Sequence, residues 1–206
     1  HAACAQMHEW HSLGHVGLYV AINVSERQLK RGLVRQLDEA LVASGLDPSC
    51  IELDITEQSL VDNIEAGIAQ LKLLKERGVK LAIDDFGTGF TSLNYVKRLP
   101  IDKLKIDMTF VKDLPSSAND AAIATTIVSL AQGLNLKVVG EGVQNQLQHE
   151  FLRNLGCHFA QGYLYSRPVT VDRMTRFLAQ RLAESEEAEN NHWPNVSSAL
   201  SPITVH

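Results

Sequence analysis

The sequence predicts an α/β fold: a modified (β/α)8 barrel of the TIM type, with its first one or two units absent from the chain. Three observations carry this expectation. Six short β-branched or apolar runs alternate with helix-period segments, the rhythm of a parallel sheet with helical crossovers. Almost every run ends in a polar residue: Asn23, Asp54, Asp84 with Asp85, Lys105 with Asp107, Glu141 and Gln161. Barrels draw their chemical groups from the C-terminal ends of many strands, whereas an open doubly wound sheet gathers them at one switch point. The glycine-rich phosphate turns of open sheets, G-x-G-x-x-G and G-x-x-x-x-G-K-[ST], do not occur. A whole barrel needs eight units in about 250 residues, so six units in 206 residues leave part of it unaccounted for.

Each element follows from local signals. A helix is expected over 2–10, ahead of a first strand over 18–23. Ser25 and Gln28 have the spacing of a capping box and open a helix expected to run to Gly45. A second strand covers 51–55. Asp62 to Glu65 opens the next helix, with Ile64, Ile68, Leu71 and Leu74 on one face and Gly78 as its stop. The strand over 80–83 leads to a short helix over 92–99, ended by Pro100. After a strand over 103–106, a helix is expected over 119–132, with Ile123, Ile127 and Leu130 as its apolar stripe. A strand over 137–139 precedes a helix over 146–155 that stops at Gly156. A last strand over 158–163 precedes a helix from about 171 to 182. Residues 183–206 are rich in Glu, Asn, Ser and Pro and read as a disordered tail behind one domain over 1–182.

Composition narrows the function. The chain is 45% hydrophobic and 21% charged, an ordinary globular balance. Its longest apolar stretch, 16–24, is strand-length, so no segment is expected to span a membrane. A net charge of -5 and no basic stripe argue against a grip on long nucleic acid. Cys4, Cys50 and Cys157 are odd in number and widely spaced, which disfavours disulfides and zinc thiolates and fits a reducing, cytoplasmic setting. The start at His1 has no charged-then-apolar leader, and the chain reads as a piece of something longer. His8, His11 and His15 read as solvated histidines rather than a metal cluster.

The strand ends carry the chemistry. Carboxylates and an amide converging at one barrel rim would repel one another without cations, and such hard oxygen donors call for Mg²⁺ or Mn²⁺ rather than zinc. Asp84 and Asp85 are the sharpest signal. Neighbouring strand residues point to opposite faces, so the pair is expected to share a site only where the strand ends and the run Phe86-Gly87-Thr88-Gly89 turns. Paired aspartates flanking two metal ions about 3.5–4 Å apart suit in-line phosphodiester hydrolysis. Lys105 is placed to reach the attacking water or a phosphate oxygen.

Six motifs in order carry a resemblance to a known family: Ala21-Ile-Asn23-Val-Ser25, Ile55-Thr-Glu57, Leu81-Ala-Ile-Asp84-Asp85-Phe-Gly-Thr-Gly89, Leu104-Lys105-Ile-Asp107, Glu141-Gly-Val, and Gln161-Gly-Tyr-Leu-Tyr-Ser-Arg-Pro168. Over roughly residues 2–170 the chain resembles the EAL domain, a bacterial phosphodiesterase module that cleaves cyclic di-GMP to linear pGpG with two Mg²⁺ or Mn²⁺ ions. The resemblance implies that Asn23, Asp54, Asp84, Asp85 and Glu141 are metal ligands. It implies that Lys105 positions or polarises the attacking water, with Glu141 beside it as the second catalytic group. Gln161 would lie near the rim, Gln144 behind the ligands and Asp107 either behind them or facing the metal, and Glu57 would anchor the loop over 86–92, which in the family links the metal site to dimerisation. Expected partners are cyclic di-GMP, a second copy of the domain and an upstream sensor or cyclase domain.

Three departures stand out. The Glu-Ala-Leu strand that names the family is absent, so the isolated chain is expected to be inactive. Asp54 stands where the family has Glu, an arm shorter by about 1.5 Å. Gln144 stands where Glu is usual. These two changes favour an alternative, a degenerate module that binds cyclic di-GMP or a protein partner without hydrolysis.

Overall fold

In the computed structural model, which describes residues 1–61, 64–89 and 93–190, the strands form one all-parallel sheet. Helix α1 (Ala2–Ser12) precedes β1 (Val20–Val24), followed by α2 (Glu26–Lys30), α3 (Leu33–Ser44), β2 (Ile51–Thr56), α4 (Gln58–Val61) and α5 (Ile64–Glu76). Then come β3 (Lys80–Phe86), α6 (Leu93–Val96), β4 (Lys103–Ile106), α7 (Ala118–Gly133), β5 (Lys137–Gly140), α8 (Gln146–Leu155), β6 (Phe159–Ala160) and α9 (Val171–Asn190). Spatial order equals chain order, β1-β2-β3-β4-β5-β6. A doubly wound sheet reverses its order at a switch point; this one never does, which is the topology of a barrel wall. Among the described residues β1 and β6 are its two edges.

Several elements differ from the sequence expectation for identifiable reasons. The helix expected from Ser25 to Gly45 is two helices. Ser25 does close a capping box with Gln28, but Gly32 takes a left-handed conformation (φ 76°) that ends α2 and starts α3. In α7 the buried stripe is Ala124, Ile127, Val128 and Ala131, while Ile123 is 37% exposed. The last strand pairs only at Phe159–Ala160. Beyond it Gly162 passes so close to Val143 that an added Cβ would lie 2.2 Å from the Val143 carbonyl oxygen. Helix α9 extends to Asn190, so the expected tail begins as helix. Residues 191–206, the expected opening at Asp62 and the start of the expected 92–99 helix lie outside the described residues.

The two faces of the sheet differ sharply. Leu53, Ile55, Leu81, Ile83, Leu104, Ile106 and Val138 are at most 3% exposed and join one core with Leu71 and Leu74 of α5 and Ile127 and Val128 of α7. The alternate positions face the other way and include Glu52, Asp54, Lys103 and Lys105, all buried. The wall thus packs apolar side chains outward against its helices and holds charge inward. The three cysteines are free thiols, and none of the helices among the described residues is long and apolar enough to cross a membrane.

Leu81→Ala should lower unfolding stability by about 2–5 kcal/mol, the range for truncating a fully buried leucine, read from urea midpoints at unchanged slope. A loss within about 0.5 kcal/mol, the surface range, would mean that this face is not the core.

Candidate active site

The adjacency of Asp84 and Asp85 is solved by a bulge rather than by the strand ending. Parallel pairing runs Ile83 to Leu104, then Phe86 to Ile106, so two residues on β3 oppose Lys105 alone on β4. Asp85 occupies the left-handed region (φ 53°), and its amide donates to Asp84 Oδ1 at 3.0 Å. An extra residue bends the strand and re-aims its side chains, which lets both aspartates serve one site. With Glu141 they offer ligand oxygens all within 4.8 Å of one another, the one group of this kind among the described residues.

Lys105 is the centre of the arrangement. Its Nζ lies 2.7 Å from Glu141 Oε1, 2.8 Å from Asp54 Oδ2 and 3.2 Å from Asp84 Oδ1. The Lys105 side chain is 4% exposed and that of Asp54 fully buried. Burial works against the ammonium, but the charges of Asp54, Glu141 and Asp84 outweigh it and hold Lys105 protonated well above its ordinary range. One cation still faces an excess of carboxylates. Burial, and then the Asp84 and Asp107 carboxylates, push Asp85 up to about 6. Burial, with Asp84 beside it and Lys105 opposing, pushes Glu141 up to about 7. Asp54 is raised mainly by burial.

The remaining sequence candidates surround this group. Asn23 is exposed at the end of β1 and pairs in register with Asp54. Asp107 caps the turn Met108–Phe110, accepting from the Thr109 amide at 2.8 Å and its hydroxyl at 2.5 Å, and it also meets Asp85. The Gln161 amide donates to Gly140 and its carbonyl accepts from Val143, which lays its backbone along the Glu141 segment. Gln144 is exposed, its amide donating to Gln148 Oε1 at 2.7 Å. Gly142, after Glu141, has φ 68°, and a Cβ there would sit 2.5 Å from Met108 Cβ; only glycine lets the two rim segments approach so closely.

Glu57 is buried, and its Oε2 accepts from the amides of Gly87 at 3.0 Å and Gly89 at 3.3 Å. Its own amide donates to the Asp84 carbonyl at 3.1 Å. It therefore ties the described part of the loop, 86–89, to the aspartate strand; residues 90–92 lie outside the described residues. The histidines do not gather: His11 Nε2 bonds the Leu18 carbonyl at 2.9 Å.

Residues 1–168 match the EAL domain. The chain belongs to the EAL domain family. Over 177 residues it is 45% identical to the cyclic di-GMP phosphodiesterase NbdA of Pseudomonas aeruginosa, covering 85% of this chain and 23% of that protein. It is 42% identical over 178 residues to the bifunctional diguanylate cyclase/cyclic di-GMP phosphodiesterase MucR of the same organism, covering 86% and 26%. The chain thus spans about a quarter of the length of these curated relatives. Its fold is that of the MucR phosphodiesterase solved with c-di-GMP, at TM-score 0.82 and 42% identity over 84% of this chain and 70% of that one. It is also similar to Klebsiella pneumoniae BlrP1 in a manganese/cyclic di-GMP complex, at TM-score 0.67 and 34% identity, covering 72% and 38%. The sheet is accordingly part of the TIM-type barrel of EAL domains.

The residues present fit a divalent cation. Asp84, Asp85 and Glu141 supply clustered hard oxygens, and Asp54 Oδ1 is buried without a hydrogen-bond partner among the described residues.

Asp85 and Glu141 both titrate above their unfolded values, so the stability they lend the cation-free fold is complete below the unfolded carboxylate range and is lost as pH rises through about 6 and 7. A cation that takes the place of those protons should stabilise more as pH rises. The increase in Tm on adding Mn²⁺ should be larger at about pH 8 than at about pH 5; equal increases would remove these two carboxylates from the cation site.

Proposed function

We propose that this domain hydrolyses cyclic di-GMP to linear pGpG with two Mg²⁺ or Mn²⁺ ions. The observation that carries the reading is Lys105 Nζ within 2.7–3.2 Å of three strand-end carboxylates at the barrel rim. Asp84, Asp85 and Glu141, with Asn23 and Asp54, would hold the ions. The ions would supply Lewis-acid activation and neutralise charge developing on phosphorus.

The chain's own residues do the rest. Lys105, kept protonated by its carboxylates, would set its positive charge beside the attacking water and the phosphate oxygens. Glu141 Oε1 fixes that ammonium from just beyond β5 and Asp54 Oδ2 fixes it from β2. Asp84 is braced through its backbone: its carbonyl holds Glu57, and Glu57 holds the amides of Gly87 and Gly89. By this route the loop after β3 can pass an event at a domain interface, such as pairing with a second copy, to the aspartates. A cyclase or sensor domain upstream and a cytoplasmic setting belong to the same reading. Among the described residues β1 and β6 have a neighbouring strand on one side only, and we expect the chain by itself to lack turnover.

One observation favours a second reading, a module that binds cyclic di-GMP without cleaving it. The short Asp54 arm is wholly buried and already bonded to Lys105, which leaves one oxygen for a cation.

Chromatography of pGpG decides between them. In the protein that carries this domain, Mn²⁺-dependent product is expected, and Asp84→Asn should lose both product and Mn²⁺ binding. Asp54→Glu, which restores the longer arm, should raise turnover or lower the Mn²⁺ needed for half-maximal rate. Cyclic di-GMP binding without product in wild type and in Asp54→Glu would establish the second reading.

A further inference from the structure

The charged inner face continues below the proposed catalytic ring. Two residues before Asp54 on β2 and before Lys105 on β4, Glu52 and Lys103 form a second buried pair, with Nζ 2.5 Å from Oε2 and side chains 3% and 6% exposed. Lys103 also donates to the Tyr19 hydroxyl at 2.7 Å. Its ammonium lies 4.4 Å from the centre of the Tyr19 ring and 4.8 Å from that of Phe159. Lys103 is thus satisfied by a carboxylate, a phenol and two ring faces.

Both ion pairs join β2 to β4 and must reach across β3. The β3 residue at that level is Ala82, in register with Asp54 on one side and Lys103 on the other, and fully buried. Its single methyl group leaves the passage open. Two carboxylates therefore face two ammonium groups over one alanine, paired as Glu52 with Lys103 and Asp54 with Lys105, while Lys80, in register with Glu52 on β3, lies 5.0 Å from the centre of the Tyr19 ring. The ring needs one solution: Asp54 with Lys105.

A buried ion pair is a poor source of stability compared with apolar residues of the same volume, so stability does not account for Glu52 and Lys103. Selection of partners does. We propose that Glu52 and Lys103 are positioning residues: Glu52 holds Lys103 in the lower layer, away from Asp54, and so leaves Asp54 to Lys105 and to a divalent cation. The inference rests on the cation-dependent reading above. Without the Glu52 charge, the next carboxylate along β2 available to Lys103 is Asp54, and a lysine bonded there competes with the cation for the same oxygens.

Calorimetry of Mn²⁺ binding to the protein tests this. Glu52→Gln keeps shape and hydrogen-bonding capacity, and should weaken Mn²⁺ binding about tenfold or more, the scale for groups that orient metal ligands. Glu52→Gln with Lys103→Met removes the competitor as well and should recover most of that affinity. A purely structural role predicts the reverse order, the double variant being no better than the single one. Unchanged affinity in Glu52→Gln, or no recovery in the double variant, overturns the proposal. If the single variant does not fold, the double variant decides alone: near wild-type affinity supports the proposal and a loss of tenfold or more refutes it.

Lysine ammonium resonances of ¹⁵N-labelled, cation-free protein give a readout that needs no metal. Glu52→Gln should move the signals of both Lys103 and Lys105, because Asp54 changes partner. Movement of the Lys103 signal alone overturns the inference. Wild-type protein that binds no Mn²⁺ would refute the functional reading, while the resonances would still decide the positioning role.

Discussion

One buried ammonium holds three carboxylates together. Lys105 lies within 3.2 Å of Asp54 on β2, Asp84 on β3 and Glu141 just after β5, while Lys105 itself is on β4. Like charges so close would otherwise drive the strand ends apart or bind protons. Asp85 and Glu141, titrating near 6 and 7, show the excess negative charge that one cation leaves behind. That excess is what suits the rim to the cations proposed above.

The fold serves this constraint at several levels. Parallel strands in consecutive order bring their C-terminal ends to one rim. The bulge at Asp84 and Asp85 turns two neighbours towards one site that a regular pleat would separate. Ala82 clears the way for pairs that cross β3, and Glu57 fixes the loop behind the aspartates through two glycine amides. An added Cβ at Gly89 would lie 2.8 Å from the Glu57 carboxylate, so that grip requires glycine. The apolar face outward and the charged face inward divide the work between stability and chemistry.

Much of this was legible in the sequence because it is local. Capping at Ser25, the glycine stops at Gly78 and Gly156, and polar residues at strand ends depend on near neighbours along the chain. The bulge was not legible, since register between β3 and β4 belongs to the pair of strands; the sequence pointed instead to a strand ending at Ile83. The break at Gly32 had a signal, a glycine within the helix, that the capping box two turns earlier obscured. In α7 the alanines carry the buried stripe, and alanine says little about burial, so Ile123 was assigned to the wrong face. Glu52 and Lys103 were missed because a charged residue alternating with apolar ones reads as solvent-facing. In a strand walled by helices on its apolar face, such a residue points into the barrel, and that was the signal that could have found them.

Cations are proposed to replace protons among these carboxylates. Crystals of the protein soaked in Mn²⁺, measured at the manganese edge, test this replacement most directly. Anomalous peaks are expected at coordination distance from Asp84, Asp85 and Glu141, with Lys105 still beside Asp54. No manganese at those oxygens, or manganese there only after Lys105 has left Asp54, would contradict it.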